Sequence, residues 1–285
     1  MDSNAISRDS GESLATGAAA AQLEAQMEEH SIVSGEAWLA AQRAHLAEEK
    51  AFTRARDALV KKRQALPWMK IDKTYTFDTP DGKRSLAQLF AGRSQLIVYH
   101  FMFGPDWEEG CPGCSFLSDH IDGALVHLAH RDATYVAVSR APLERIDAYK
   151  RRMGWQFPWV SSYGSDFNFD LNVSFTPQQQ AEGKVVYNFE TQDYACDELP
   201  GMSVFYRNSE GDIFRTFSSF ARGGEPLIGT YTLLDYLPKG RDEDGKKMMG
   251  WLRRHDSYDD GATGRTLAQD QSGTRACCQH EAEHK

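Results

Sequence analysis

Cys111 and Cys114 form the motif with the clearest chemistry in this chain, because Pro112 and Gly113 alone separate the two thiols. This spacing lets the second thiolate reach the first sulfur and resolve a mixed disulfide formed there. Free N–H groups at the start of a helix favour a thiolate over a thiol, and Pro112 suits the first helical turn. The sequence therefore predicts that Cys111 attacks a disulfide and that Cys114 resolves the intermediate.

Residues just before the dithiol are candidates for supporting it. Trp107 is a candidate aromatic wall of the site, although such a residue more often simply packs. His100 lies in the apolar run 95–103, which predicts a buried strand. It is a candidate proton carrier, and a hydrogen-bonded core histidine is the more ordinary interpretation. Glu108 and Glu109 bring negative charge close to the first thiol and are expected to raise its pKa.

The other cysteines lie outside this motif. Cys196 is a candidate third redox thiol, and an inert small side chain in a loop is the more ordinary interpretation. The cysteine and histidine side chains of the C-terminal tail could bind zinc or copper weakly, although a solvated, disordered tail is the more ordinary interpretation. These tail residues are Cys277, Cys278, His280 and His284. The dithiol spacing also serves as half of many zinc sites, but no second Cys-x-x-Cys completes one, so we predict no metal.

The composition excludes several functional classes. The net charge of -9 argues against a nucleic-acid partner, because a phosphate-binding surface carries an excess of Lys and Arg. No run approaches the roughly 18 apolar residues of a membrane span, and residues 1–30 lack the basic start and apolar stretch of a secretory signal. Five cysteines, an odd number, do not fit a secreted disulfide framework. We therefore predict a soluble cytoplasmic protein, and without a Gly-rich phosphate loop we predict no nucleotide cofactor.

The elements that must position the dithiol follow the order strand, helix, strand, helix and hairpin. They are predicted at residues 95–103, after Cys114 to about 130, 134–139, 143–153 and 203–217. This order is that of thioredoxin, so the sequence predicts an α/β, thioredoxin-like fold with a central mixed sheet flanked by helices. Pro200 precedes the hairpin, near where thioredoxins keep a cis-proline that faces the dithiol and binds substrate.

The ends of the chain differ from its middle. We predict a disordered leader, an N-terminal helical arm, the thioredoxin-like domain and a disordered tail, at residues 1–30, 31–70, 71–258 and 259–285. The arm is predicted as one long helix that Ser34 caps and Pro67 stops. It carries an apolar stripe formed by Trp38, Leu39, Leu46, Phe52, Leu59, Val60 and Leu66. We expect this stripe to pack on its own domain, with a homodimer contact as the alternative.

Several segments of the chain match the motifs of a known family. Three segments resemble a bacterial family catalogued as domain of unknown function 899. They are the dithiol segment 96–115, the run 153–162 that begins Met-Gly-Trp-Gln-Phe-Pro-Trp, and the run 200–207 that begins Pro-Gly-Met-Ser-Val-Phe. Further matching pieces lie at 229–235, 238–243 and 251–256. The resemblance implies a thioredoxin-like fold and a predicted dithiol-disulfide oxidoreductase. The family has no secure substrate.

Three functional hypotheses follow from the residues. The first is thiol-disulfide exchange by Cys111 and Cys114, with a protein or small-molecule substrate and a cellular dithiol reductant. The second is a thiol peroxidase, since Cys-Pro after a strand is also where peroxiredoxins place their reactive cysteine. Those enzymes put Thr or Ser three residues earlier, where this chain has Glu108. The third is capture of a soft metal ion or stress ligand without turnover.

Overall fold

The computed structural model describes residues 30–193 and 196–258. Its strands are β1 Met69–Lys70, β2 Thr76–Thr79, β3 Gly82–Ser85, β4 Gln95–His100, β5 Ala133–Ser139, β6 Trp159–Ser161, β7 Val185–Tyr187, β8 Glu190–Gln192, β9 Gly201–Arg207 and β10 Ile213–Phe220. Its α-helices are α1 Gly35–Gln64, α2 Leu86–Leu89, α3 Pro112–Ser118, α4 Leu125–His130, α5 Leu143–Met153, α6 Phe167–Asp170, α7 Pro177–Glu182 and α8 Gly229–Leu234. Short 3-10 turns span Asp122–Ala124 and Ala221–Leu227. The predicted leader and tail lie almost entirely outside the described residues.

A central mixed sheet organises the molecule in the order β1-β10-β9-β4-β5-β6-β2-β3. The strands β4, β5 and β6 run parallel, while β9 and β10 form the antiparallel hairpin that pairs with β4. Parallel neighbours need helical crossovers, and α3 to α5 lie within those connections. The protein therefore has the predicted thioredoxin-like fold.

Each face of this sheet has its own apolar core. Leu96 and Val98 of β4 pack in one core, while Tyr99 packs in the other together with Cys114. Side chains alternate between the faces of a strand, which is why neighbouring residues of β4 enter different cores. The position of a residue along β4 therefore decides whether it can contact the dithiol.

The predicted strand 95–103 is shorter in the structure. β4 ends at His100, and the next residues form a loop that leads to α3. The backbone N–H of Cys111 donates to the carbonyl of Met102 at 3.0 Å, which closes this loop on itself. The loop thereby returns the chain to the end of β4 before the helix begins.

The N-terminal helix forms as predicted but does not pack as expected. Ser34 caps α1 by accepting a hydrogen bond from the N–H of Ala37 at 3.2 Å. None of the residues of α1 is buried, so the expectation that its apolar stripe packs on its own domain is wrong. Arg63 near its end does contact the domain, with its guanidinium 4.6 Å from the centre of the Phe217 ring.

Within residues 30–193 and 196–258, no helix combines the length and the apolar character needed to cross a membrane.

Candidate active site

Cys111 lies at the N-cap of α3, and Pro112 occupies the first helical position as predicted. Pro112 lacks a backbone N–H, which a first-turn residue does not use, and its fixed φ suits the helix start. Cys111 is half-buried, whereas Cys114, one turn further on, is buried with 2% of its surface exposed. Solvent therefore reaches the first thiol and not the second.

The two thiols have opposite electrostatic environments. A hydrogen bond from the Cys114 side chain, helped by the backbone N–H groups of Cys114 and Gly113, lowers the pKa of Cys111 to about 6. Burial raises the pKa of Cys114 well above its ordinary value. The Cys114 sulfur also accepts hydrogen bonds from the Tyr99 hydroxyl and, at 3.4 Å, from the N–H of Met102. The pair thus consists of a thiolate at Cys111 and a protonated thiol at Cys114 near neutral pH.

Arg254 brings a positive charge to the dithiol from the far end of the described chain. Its guanidinium donates to the carbonyl of Gly110 at 2.7 Å and to the Tyr149 hydroxyl at 2.8 Å. The same group lies 2.8 Å from the carboxylate of Glu109. Its charge contributes to the lowered pKa of Cys111, after the hydrogen bonds from Cys114 and Gly113.

The structure shows what offsets the negative charge of the acidic residues before the dithiol. Glu109 is paired with two guanidinium groups, those of Arg152 and Arg254. Glu108 is exposed to solvent, where water screens its charge. The lowered pKa of Cys111 is therefore consistent with an environment in which the nearby carboxylate is neutralised.

A chain of hydroxyl groups extends from Arg254 to the backbone of the first cysteine. The Tyr149 hydroxyl accepts from Arg254 and donates to Ser115 Oγ at 2.9 Å, and Ser115 Oγ donates to the Cys111 carbonyl at 2.9 Å. Ser115 and Tyr149 are both buried. This network fixes the start of α3 relative to α5 and to the C-terminal segment.

An apolar groove of about 120 Å³ opens beside the dithiol. Its lining includes Tyr99, Gly113, Pro200, Met202, Ile228 and Met249. Gly113 leaves little space towards Met249, since a Cβ atom placed there would lie 3.3 Å from the Met249 sulfur. The groove is thus adjacent to the helix turn that carries both cysteines.

Pro200 lies where the sequence predicts it, in the wall of this groove. The bond before it is trans, because the described residues contain no cis peptide, so the suggested cis-proline is wrong. The next residue, Gly201, begins β9 and pairs with His100 of β4. The antiparallel pairing of β9 with β4 therefore brings Pro200 to the dithiol end of the sheet without a cis bond.

The structure does not bring His100 to the dithiol. Its ring contacts Phe167 in the core on the other face of the sheet, and its Nε2 lies 2.9 Å from Ser203 Oγ. Burial, helped by the charge of Arg215, lowers its pKa to about 3, so the ring is neutral near pH 7. His100 is a buried core histidine, and a role in moving protons at Cys114 does not fit this placement.

Trp107 and Cys196 belong to neighbouring loops. The Trp107 indole N–H donates to the Asp197 carboxylate at 3.1 Å and thereby joins the loop before the dithiol to the loop before Pro200. Burial, together with the charges of Asp197 and Glu198, raises the pKa of Cys196. A thiol of raised pKa is a weak nucleophile, in line with the more ordinary interpretation of this residue.

Sequence reasoning did not assign roles to several residues that the structure places around the dithiol. Tyr99 and Tyr149 are aromatic residues in a chain rich in them, so nothing in their type distinguishes them from core residues. Arg254 lies in the Trp-Leu-Arg-Arg-His-Asp run, which carried only a resemblance. More than a hundred residues separate it from Cys111, and only the fold brings the two together.

Metal ligands do not cluster in the part of the chain that the structure describes. There, no group of three or more His, Cys, Asp or Glu side chains is placed to hold a metal ion. The tail ligands Cys277, Cys278, His280 and His284 lie outside the described residues.

Comparisons with solved structures give distant similarities. Peroxiredoxin Q of Xanthomonas campestris shares 15% identity, with 59% of this chain and 96% of that chain covered and a TM-score of 0.34. A mutant of Xylella fastidiosa PrxQ shares 14% identity, covering 56% and 88% of the two chains, with a TM-score of 0.34. A secreted Mycobacterium tuberculosis disulfide oxidoreductase, homologous to E. coli DsbE, shares 14% identity over 54% and 92%, with a TM-score of 0.31.

The comparison with protein families matches a larger part of this chain than the solved structures do. No curated protein matches the chain. The family model described as "Bacterial protein of unknown function (DUF899)" matches residues 27–258, which include the dithiol, Pro200 and Arg254. The chain therefore belongs to the bacterial family of unknown function DUF899.

Proposed function

We propose that this protein is a dithiol-disulfide oxidoreductase in which Cys111 is the attacking thiolate and Cys114 the resolving thiol. The observation that carries the proposal is the asymmetry of the pair. Cys111 is accessible and has a pKa of about 6, whereas Cys114 is buried and has a raised pKa. An attacking thiol works best when its pKa lies near or below the ambient pH, and a resolving thiol only needs to reach its partner.

In the first step the Cys111 thiolate attacks one sulfur of a substrate disulfide. A bond forms between Cys111 Sγ and that sulfur, the substrate disulfide breaks, and the other half leaves as a thiolate that takes a proton from solvent. The negative charge leaves Cys111 as the mixed disulfide forms. The interactions from Cys114 and Arg254 that favour the thiolate therefore favour the state before attack.

In the second step Cys114 loses its proton and attacks Cys111 Sγ. The Cys111–Cys114 disulfide forms, the mixed disulfide breaks, and the second half of the substrate leaves as a thiol after protonation. The Tyr99 hydroxyl and the Met102 N–H donate hydrogen bonds to the Cys114 sulfur, which stabilise its thiolate. Two electrons pass from the dithiol to the substrate, and a cellular dithiol reductant restores the pair.

The apolar groove is the proposed site for the part of the substrate next to its disulfide. Gly113 and Pro200 line it directly beside the dithiol, and Met202 and Met249 supply flexible apolar surface. Such a groove suits a protein or small-molecule disulfide with an apolar neighbour. We propose no nucleic-acid, membrane or metal partner.

The experiment is the trapping of a mixed disulfide in the full chain with Cys196, Cys277 and Cys278 replaced by Ser. With oxidised glutathione as the probe, Cys114→Ser is expected to accumulate one glutathione on Cys111. The parent dithiol is expected to form an internal disulfide and release two molecules of glutathione. Cys111→Ser is the matched control and is expected to do neither, so equal labelling of Cys111→Ser and Cys114→Ser would sink the mechanism.

Hydrogen peroxide in place of glutathione tests the peroxidase alternative. If the parent dithiol consumes peroxide much faster than it reacts with disulfides, the result contradicts disulfide exchange and supports the thiol peroxidase hypothesis. The position where peroxiredoxins use Thr or Ser holds the exposed Glu108, which cannot donate a hydrogen bond to peroxide when ionised. We therefore expect disulfide exchange to be the faster reaction.

A further inference from the structure

The apolar stripe of α1 is exposed along its whole length. Trp38 keeps 57% of its surface exposed, Phe52 69% and Leu59 55%, and no residue of the helix is buried. A helix of 30 residues gains most of its stability in proteins from packing an apolar face, and contiguous exposed apolar surface marks an interaction site. We therefore expect the stripe to pack against another protein surface.

The stripe is symmetric about the middle of the helix. Six of its seven residues, all except Leu66, form pairs at equal distances from Glu49. These are Leu46 and Phe52 at three residues, Leu39 and Leu59 at ten, and Trp38 and Val60 at eleven. If two copies of α1 pack antiparallel and cross at Glu49, each residue of a pair lies at the same height along the helix axis as its counterpart in the second copy. Leu46 of one copy, for example, lies level with Phe52 of the other. In a parallel pair each residue would lie beside the same residue of the second copy, so the symmetry about Glu49 would have no effect on the packing.

The charges of the helix have the complementary arrangement. Residues 35–49 carry three glutamates and one arginine, whereas residues 50–64 carry six basic residues and one aspartate. The antiparallel register that aligns the stripe also sets the acidic half of each helix beside the basic half of the other. Parallel pairing would instead set the two basic halves side by side and repel.

We propose that α1 is an antiparallel dimerisation helix whose partner is the α1 of a second copy of this chain, with Glu49 at the two-fold axis. Gln42, Glu49 and Arg56 lie along the middle of the stripe, so the contact is a helix pair with a polar centre and not a heptad coiled coil. This proposal is independent of the dithiol chemistry, because it involves neither cysteine.

Sedimentation velocity of the full chain under reducing conditions tests the proposal across a range of protein concentrations. The wild type is expected to be a dimer. Lys50→Glu with Lys62→Glu, and separately Glu36→Lys with Glu48→Lys, reduces or reverses the charge difference between the facing halves, so each variant is expected to weaken dimerisation by about threefold or more. An equal mixture of the two variants sets the acidic half of one against the strongly basic half of the other and is expected to dimerise more tightly than either variant alone.

The matched control is Lys184→Glu with Lys239→Glu, which changes the net charge equally at exposed sites outside the helix. It is expected to leave the dimer unchanged. A wild type that is monomeric at every concentration overturns the proposal. So does a dimer that the charge variants do not weaken, because the contact would then lie elsewhere or be parallel. A mixture that dimerises no better than the separate variants also overturns the proposal, because facing halves of opposite charge would then not determine the contact. Rescue by mixing also excludes misfolding as the cause of weakened variants.

Discussion

At the scale of single residues, the proposed thiol chemistry depends on how differently two neighbouring thiols are solvated. Cys111 is reached by solvent and surrounded by donors, while Cys114 is enclosed by the core and by Tyr99. A hydrogen bond to a charged group contributes about 1.5–3 kcal/mol, which is enough to move a pKa by one to two units. The Cys114 thiol is the first of these donors.

Replacing Cys114 by Ala removes this donor and is expected to raise the pKa of Cys111 by about one to two units. The rate of alkylation of Cys111 by iodoacetamide follows the thiolate, so its midpoint in pH is expected near 6 with Cys114 present and clearly higher without it. Cys196→Ala is the matched control and should leave the midpoint unchanged. An identical midpoint for Cys114→Ala and the parent would contradict the assigned cause.

Replacing Arg254 by Gln is expected to raise the same midpoint by less, under about one pH unit, because its charge is a smaller contribution than the hydrogen bonds. The neighbouring Arg253 provides the control, since among the described residues its guanidinium donates to the carbonyls of Gly250 and Leu252 and not to the dithiol segment. Arg253→Gln is expected to alkylate like the wild type. If both arginine variants shift the midpoint equally, a specific influence of Arg254 is ruled out.

The sequence singled out the two cysteines and predicted which one attacks, because thiol type and spacing are local properties. It did not identify Arg254 or Tyr149, because their roles come from tertiary contacts across the chain. It also placed the Glu109 carboxylate near the dithiol, but the two arginines that pair with this carboxylate are distant in sequence, so their effect could not be predicted. Local reasoning placed His100 correctly in a strand and could not tell which core its ring enters.

At the scale of secondary structure elements, the loop between β4 and α3 controls where the dithiol lies. Gly110 ends this loop beside two buried rings, and a Cβ atom there would lie 2.6 Å from Phe101 and 2.9 Å from Tyr149. Real Cβ atoms do not approach so closely, so any larger residue must displace the rings or the loop. The position therefore requires glycine for space and not for its backbone angles.

Gly110→Ala is expected to destabilise the protein by about 1–3 kcal/mol, because it overpacks the core behind Cys111. Gly123→Ala is the control, since a Cβ atom at Gly123 meets nothing within 4 Å. Urea denaturation of both variants measures the effect. A free energy of unfolding that falls by the same amount in the two variants would show that packing at Gly110 is not responsible.

The elements with strong patterns were predictable, and the connecting segments were not. The apolar run of β4, the alternating hairpin of β9 and β10 and the charged helix α1 each have a period or composition that identifies them. The segment 221–258 has no such period, yet it supplies Met249 to the groove and Arg254 to the dithiol. The partner of α1 was beyond prediction for another reason: an amphipathic pattern shows that a face is covered without showing by what.

At the scale of the whole molecule, two buried titratable groups change the free energy of unfolding with pH in opposite directions. Burial raises the pKa of Glu198 to about 7, against the hydrogen bond from Ser174 and the charge of Arg140, which both lower it. Burial lowers the pKa of His100 to about 3. The native state therefore binds more protons than the unfolded state at Glu198 and fewer at His100.

The Glu198 contribution is fully present below pH 4.5, the ordinary value, and is lost as the pH rises through about 7. The His100 contribution has the opposite sign: stability rises with pH between about 3 and 6.5. The two slopes, each up to about 1.4 kcal/mol per pH unit, oppose one another between pH 4.5 and 6.5.

Glu198→Gln is expected to leave the His100 slope uncompensated, so the stability of this variant should rise more steeply with pH from 4.5 to 6.5 than that of the wild type. Urea denaturation across this range measures both slopes. Glu182→Gln, at an exposed glutamate of α7, is expected to follow the wild type. Parallel profiles for Glu198→Gln and the wild type would refute a raised pKa at Glu198.

The most direct test of the central claim is the redox equilibrium of Cys111 and Cys114 in the full chain with the other three cysteines replaced by Ser. The protein is equilibrated in dithiothreitol or glutathione buffers, and the internal disulfide is quantified by thiol labelling and mass spectrometry, with metal content measured on the same sample. We predict a reversible two-electron couple with a potential between about -120 and -270 mV, the range of working dithiol oxidoreductases. A pair that forms no internal disulfide, or that holds a metal ion one-to-one, would contradict the account.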